Sequence, residues 1–332
     1  MKVKPNNFTT FPNIIPKYSV RPSVQTAIIQ PKTIKTMNTN SSRRSVLKNI
    51  IGGAAVAVSP MTFSEVFAAN EQALGVELNG KINHSACRWC YSKIPLDELC
   101  QAAVAIGLKS IELQGPAEWP ILKKYGLTCA MPQGAGKGIN DGFNDLKLHD
   151  ELVASYEAIF PQLQAAGLDK VICFSGNRKG MSDEQGLENC AIGLKRLMPS
   201  AEKYGITVTM ELLNSKVNHK DYMCDTTKWG TALCDRVGSD RFKLLYDIYH
   251  MQIMEGDVIA TIRKSHKYFS HYHTGGVPGR NEIDDTQELN YPAIMRAIVE
   301  TGYKGFIGQE FIPKRPDAIA SLKQGVTICD IA

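Results

Sequence analysis

The chain has 332 residues, is 43% hydrophobic and carries a formal net charge of +5, so it is long enough for one large α/β domain with a sizeable core. The positive balance comes from the first part of the chain, where Lys2, Lys4, Lys17, Arg21, Lys32, Lys35, Arg43, Arg44 and Lys48 all precede the first acidic residue, Glu65. A surplus confined to one end gives no sign of a nucleic-acid-binding face on the folded part.

That acid-free beginning contains "SSRRSVLKNIIGGAAVAVSPMTFSEVFAAN", with a twin arginine, a short apolar run and a small-residue exit. It resembles a twin-arginine export signal. The apolar part, Val46 to Val58, is interrupted by Lys48 and Asn49 and falls short of the roughly 20 residues a spanning helix needs. Residues 1–69 are therefore expected to be an exported leader directing the protein to the periplasm, with no membrane span and with Met37 as an alternative start. Nine cysteines in an exported chain suggest disulfides, but several lie in apolar runs such as "LTCAM" and "VICFS", where free buried thiols are expected. "CRWC" has zinc or redox spacing, yet no second pair completes a structural zinc site.

From Gly80 onward, short β-type runs alternate with longer helical stretches. Eight runs are predicted as strands: "KINHS" from Lys81, "SIELQ" from Ser110, "LTCAM" from Leu127, "KVICFS" from Lys170, "ITVTME" from Ile206, "FKLLYD" from Phe242, "YFSHYH" from Tyr268 and "FIGQE" from Phe306. The intervening stretches, among them "LDELCQAAVAIG" and "HDELVASYEAIFPQLQAAG", place apolar residues at helical spacing, and many close on a glycine. Residues 80–332 are thus expected to form an α/β domain, a (β/α)8 barrel. A doubly wound sheet is disfavoured, since no G-x-G-x-x-G follows the first run.

In such a barrel the reactive residues stand at the carboxyl ends of the strands. The last four runs end at Glu211 in "TMELLNS", Asp247 in "LLYDIYHMQ", His273 in "SHYHTGG" and Glu310 in "IGQEFIP". Three carboxylates at one mouth repel unless a cation or protons neutralise them. Three carboxylates and one imidazole suit a hard octahedral ion, Mg²⁺ or Mn²⁺, better than tetrahedral Zn²⁺. His271 shares a strand face with His273 and is expected one layer deeper. His250, three residues past Asp247, is a candidate substrate contact, or else an exposed loop histidine. Arg88 and Arg280 are candidates for a substrate carboxylate, or solvated loop arginines.

Glu211 and Glu310 come from runs three apart, so they can approach a substrate from different sides. One carboxylate can take a proton from the carbon beside a carbonyl and the other return it, through an ene-diolate. The expected reaction is an isomerisation or epimerisation without a redox cofactor.

With these residues in place, the chain resembles the xylose-isomerase-like barrel superfamily and, within it, the hydroxypyruvate isomerases. The resemblance runs through "INHSACRWCYSKIPLDELCQAA", "MELLNSKVNHKDYMCD", "LLYDIYHMQIMEGD", "VPGRNEIDDTQELNYPAIMRAI" and "GYKGFIGQEFIP". It implies that Glu211 and Glu310 are proton donor and acceptor, and that Glu211, Asp247 and Glu310 fall at metal-ligand places. The chain departs from that pattern at His271-Tyr272-His273, where hydroxypyruvate isomerases read His-x-Gln and ketose 3-epimerases read His-x-His. The resemblance implies an aldose-ketose type isomerase acting on hydroxypyruvate or a similar small hydroxy-oxo acid. An exported sugar epimerase, a lyase or hydrolase of oxidised sugars, and a non-catalytic periplasmic sugar-binding protein are the alternatives. The expected partner is a small molecule, and a homo-oligomer is compatible with all of these.

Overall fold

The structure, a computed structural model, describes residues 77–331. The expected leader, residues 1–69, lies outside the described residues. Seven parallel strands form one sheet in the order β2-β1-β7-β6-β5-β4-β3. They are β1 (Asn83–Cys87), β2 (Ser110–Glu112), β3 (Lys170–Cys173), β4 (Thr207–Glu211), β5 (Phe242–Asp247), β6 (Phe269–Thr274) and β7 (Phe306–Gln309). Seven of the eight predicted runs are therefore strands.

The exception is "LTCAM", which forms no regular ladder and makes a single bridge, Thr128 to Ser110. It nonetheless fills the gap between β2 and β3. Ile111 N–H donates to Thr128 O and Leu113 N–H to Met131 O, while on the other side Ile172 N–H donates to Pro132 O. Two residues on β2 thus span three on this segment, and the extra residue breaks the register as a bulge does. Pro132 also has no N–H to give to a neighbour. The barrel closes through an irregular eighth segment, for reasons of backbone register that hydrophobic patterning does not report.

The helices follow the expected alternation: α1 (Leu96–Ile106), α2 (Trp119–Lys124), α3 (His149–Ala166), α4 (Asp183–Tyr204), α5 (Thr227–Val237), α6 (Ile248–Met254), α7 (Val258–Ser265), α8 (Tyr291–Glu300) and α9 (Ala318–Cys329). Four of them, α1, α3, α4 and α5, end on Gly107, Gly167, Gly205 and Gly238 in the left-handed conformation, which a side chain resists and glycine adopts freely. α6 starts directly after Asp247, and α9 follows the last strand. No helix among the described residues is long and apolar enough to cross a membrane.

Burial follows strand alternation. Leu244 packs with the large cluster that joins sheet to helices, whereas its neighbour Leu245 belongs to a small separate cluster with Met131 and Ile172. Asp247 shares the face of Leu245, and in register Leu245 pairs with Glu211 and His271, and Asp247 with His273. The inner face therefore starts apolar and turns polar toward the carboxyl ends of the strands. All nine cysteines are free, eight of them buried and Cys90 partly so.

Candidate active site

β4, β5, β6 and β7 lie side by side in the sheet and deliver Glu211, Asp247, His273 and Glu310 to one place. All four side chains are buried, and each offers one ligand atom lying within 4.8 Å of the others. His273 Nδ1 stands 2.7 Å from Glu310 Oε2 and 3.5 Å from Glu211 Oε1. Neither approach is aligned as a hydrogen bond, so Glu211 Oε1 and His273 Nδ1 are both left buried without a partner. A buried donor or acceptor left unpaired costs about 1–3 kcal/mol, so such atoms facing one another mark a place built for something else. Three carboxylate oxygens and an imidazole nitrogen fit a divalent cation.

The only guanidinium that reaches the cluster among the described residues is that of Arg280. Its Nη2 donates to Glu310 Oε2 at 2.6 Å and to Asp247 Oδ2 at 3.2 Å. The guanidinium lies between two rings, 5.1 Å from the centroid of Trp89 and 5.4 Å from that of Tyr249. Trp89 Nε1 donates to Glu310 Oε1 at 2.7 Å, so both oxygens of Glu310 are held. Asp247 is divided in the same way. Its Oδ1 accepts the His250 backbone N–H at 3.0 Å as the N-cap of α6, which leaves Oδ2 for the site.

Glu112, at the end of β2, was not singled out in the sequence. Its Oε2 takes His271 Nε2 at 2.7 Å and His273 Nε2 at 3.1 Å. With its Nε2 proton directed at Glu112, His273 turns Nδ1 toward the carboxylate cluster, the geometry of a carboxylate-oriented metal histidine once Nδ1 has given up its proton. His271 lies deeper, as expected from strand alternation. The same crowding explains Gly308 on β7: a Cβ there would stand 2.8 Å from both Glu112 Oε1 and His273 Cδ2. Glu112 lies inside the predicted run "SIELQ", two residues before its end, so a strand-end rule does not reach it; the observed strand stops at Glu112 itself. Cys87 Sγ also approaches His273 Nε2, at 3.6 Å, and Cys87, Glu112 and His273 form a second close group. Burial pushes the Cys87 thiol well above its ordinary range, so it stays protonated beside the imidazole.

The same surroundings separate the acids. Burial pushes Glu112 up, but the His271 and His273 imidazoles outweigh it and hold the carboxyl at about 2. Burial likewise raises Glu310, and Arg280 and His273 overcome it, leaving Glu310 well below the usual range. Glu211 goes the other way: burial raises it, His273 only partly offsets this, and the nearby Glu310 charge raises it further. Asp247 is pushed up to about 8 by burial, which Arg280 does not fully cancel against the Glu310 and Glu211 charges. For His273 burial favours the neutral ring, but Cys87, whose sulfur faces Nε2, and the ionised Glu310 beside Nδ1 reverse this and raise its pKa well above 6.5, so in the metal-free cluster Nδ1 carries a proton that a cation would have to displace.

His250 is fully buried in α6 rather than exposed in a loop. Its Nδ1 accepts the Asn214 backbone N–H at 3.1 Å, which places its proton on Nε2. Nε2 has no hydrogen-bond partner and stands 3.7 Å from Asp247 Oδ2, a donor facing the site. Burial, then Arg280, lowers its pKa well below 6.5, so the ring stays neutral. His219 packs against it at 5.3 Å between ring centroids. Arg88, by contrast, does not join the site. Its guanidinium donates to the carbonyls of Tyr91 and Ile94 and pins the loop after β1. The residue from this loop that reaches the site is its neighbour Trp89.

The model of the family described as xylose isomerase-like TIM barrel matches residues 100–327. The chain is 35% identical over 128 residues to the 2-oxo-tetronate isomerase of Cupriavidus necator, covering 39% of this chain and 47% of that one. It is 24% identical over 235 residues to the 2-oxo-tetronate isomerase of Haemophilus influenzae, covering 68% of this chain and 90% of that one. Against the hydroxypyruvate isomerase of Escherichia coli it is 30% identical over 155 residues, 46% of this chain and 58% of that one. Among solved structures it is similar to an AP endonuclease, family 2, from Brucella melitensis, with a TM-score of 0.65, 24% identity and coverage of 74% and 97% of the two chains. The match spans most of the barrel, including the strands that carry all four clustered side chains, and the chain belongs to the xylose isomerase-like TIM barrel family.

Proposed function

We propose that the protein is a divalent-metal-dependent isomerase of small hydroxy-oxo acids, interconverting hydroxypyruvate and tartronate semialdehyde or a homologous pair. The observation that carries this is the placement of Glu211 and Glu310 about one buried point with opposite pKa displacements. Glu310 enters ionised, as a base. Glu211 holds a proton more readily, as an acid, and pairs displaced in this way make acid–base partners. Glu211, Asp247, His273 and Glu310 would hold Mg²⁺ or Mn²⁺. Bound there, the cation supplies charge neutralisation and Lewis acidity toward the adjacent oxygens of an α-hydroxycarbonyl.

Glu310 removes a proton from the hydroxyl-bearing carbon, and its electron pair moves into the carbon–carbon bond, giving an ene-diolate. Glu211 delivers a proton to the neighbouring carbon, and a proton passes between the two oxygens. The carbonyl and hydroxyl have then exchanged places with no net change in atoms or electrons. Arg280 offers its guanidinium to the substrate carboxylate, and the neutral His250 offers its Nε2 proton to a substrate oxygen. Relatives named 2-oxo-tetronate isomerase and hydroxypyruvate isomerase support the same class.

The test is NMR of metal-loaded protein with hydroxypyruvate or 2-oxo-tetronate in deuterated water. Deuterium should enter at the reacting carbon, and no exchange with any α-hydroxycarbonyl acid would refute the proposal. Exchange with neutral ketoses alone would favour the sugar epimerase instead, a reading supported by the imidazole at His273. We further propose export: intact mass of the native protein should show a mature chain without Arg43 and Arg44, and a chain retaining both would count against cleavage.

A further inference from the structure

Beside the site, between the loop after β1 and the loop after β7, runs a groove of 850 Å³ lined by Trp89, Lys93, Ile312, Lys314 and Asp317 among others. Of the residues that line it, Trp89 is the one that touches the clustered carboxylates: its indole N–H donates to Glu310 while 41% of the residue remains exposed. Ile312, two residues past Glu310, is equally exposed at 41%. Both side chains line the same groove, so its wall offers a substrate chain apolar contact next to a buried polar site. The charges are uneven. Arg315, also in the lining, is paired with Asp284, and Asp317 caps α9 by accepting the Ala320 N–H. Lys93 and Lys314 have no ion-pair partner among the described residues.

We propose that this groove is a subsite for the distal part of the substrate, and that the protein acts on acidic sugar derivatives longer than three carbons with a second anionic group at the far end. This rests on the proposed isomerase function and specifies its substrate class. The indole face takes the C–H face of a polyhydroxylated chain, whose hydroxyls stay in water. Lys93 and Lys314 then meet the terminal anion, while Arg280 meets the carboxylate nearer the reacting carbons. A three-carbon acid spans only the inner part and leaves Trp89, Ile312 and both lysines uncovered.

The test uses Trp89 as its own reporter, because Trp119 and Trp229 are buried. With Mn²⁺ present, the full chain is titrated with glycerate, threonate, gluconate and glucarate while tryptophan emission is followed. Glucarate should bind at least about tenfold more tightly than glycerate, with gluconate between them. The double variant Lys93→Ala/Lys314→Ala should lose the glucarate advantage and keep its glycerate affinity. Equal affinities across the series, or a glucarate advantage indifferent to both lysines, would overturn the subsite. So would inorganic phosphate binding as tightly as glucarate, which would mark a bare anion site. Solvent exchange is measured in parallel: lysine-dependent glucarate binding without exchange on any substrate would refute the isomerase and leave the subsite standing.

Discussion

Glu112 and His273 are joined at 3.1 Å through Oε2 and Nε2, and this contact aims the opposite ring nitrogen at the cluster of carboxylates. Because the same Oε2 also holds His271, one buried carboxylate sets the tautomer and tilt of both histidines of β6.

Glu112→Gln should weaken Mn²⁺ binding. The glutamine keeps the volume, but it loses the charge that draws both Nε2 protons, and removing such a partner typically costs about 10–100-fold in affinity. Isothermal titration with Mn²⁺ reads this directly, with circular dichroism confirming the fold. Unchanged affinity in a folded variant would show that His273 is oriented by packing alone.

Glu211→Gln and Glu310→Gln should each lower the exchange of substrate C–H with solvent by about 10²–10⁴-fold. The losses should be of similar size, since a reversible proton transfer uses each group as acid in one direction and as base in the other. Near-normal exchange in either variant with metal still bound would move the search for the base to His250.

Metal affinity should rise with pH. Asp247 is held at about 8 by its buried surroundings, so near pH 6 it is mostly protonated and a cation must displace that proton. Glu211 is displaced in the same direction. Apparent Mn²⁺ affinity should therefore climb between pH 6 and 8 by about tenfold per pH unit for each proton displaced, then level off, with proton release on binding. Stability of the metal-free protein runs the opposite way. A carboxyl raised in the folded state binds more protons folded than unfolded, so its contribution is lost as pH rises through the folded value of about 8. Thermal melts of metal-free protein from pH 5 to 8, set against affinities over the same range, check both signs.

Arg88→Ala should destabilise the protein and leave substrate affinity unchanged. Its guanidinium holds two backbone carbonyls of the loop after β1 and touches none of the clustered carboxylates, so losing it should cost about 1–2 kcal/mol. Urea unfolding reads the loss. A rise in KM without a loss of stability would restore the role of substrate contact suggested by its position after the first strand.

Much of this architecture was legible in the sequence because period-two strands and glycine-closed helices are local patterns. Alternation placed Glu211, Asp247, His273 and Glu310 at strand ends, and barrel topology made those ends converge. It also placed His271 beneath His273, since residues two apart share a strand face. What the sequence could not decide depends on where backbone and side chains go in three dimensions. The segment from Leu127 has strand-like composition, yet its register against β2 slips by one residue, which no side-chain pattern records. Arg88 and Trp89 are adjacent in the chain, but the turn after β1 sends one to the carbonyls of its own loop and the other to Glu310. Glu112 becomes part of the site only because β2 and β6, distant in sequence, face each other across the barrel interior. The opposite pKa displacements of Glu211 and Glu310 likewise arise from which charges stand beside them, above all Arg280, and not from residue type. Residue types and their spacing determined which groups are available for chemistry; closure of the barrel decided which of them touch, because Coulomb and hydrogen-bond energies depend on distances of a few ångströms that only the packed chain sets.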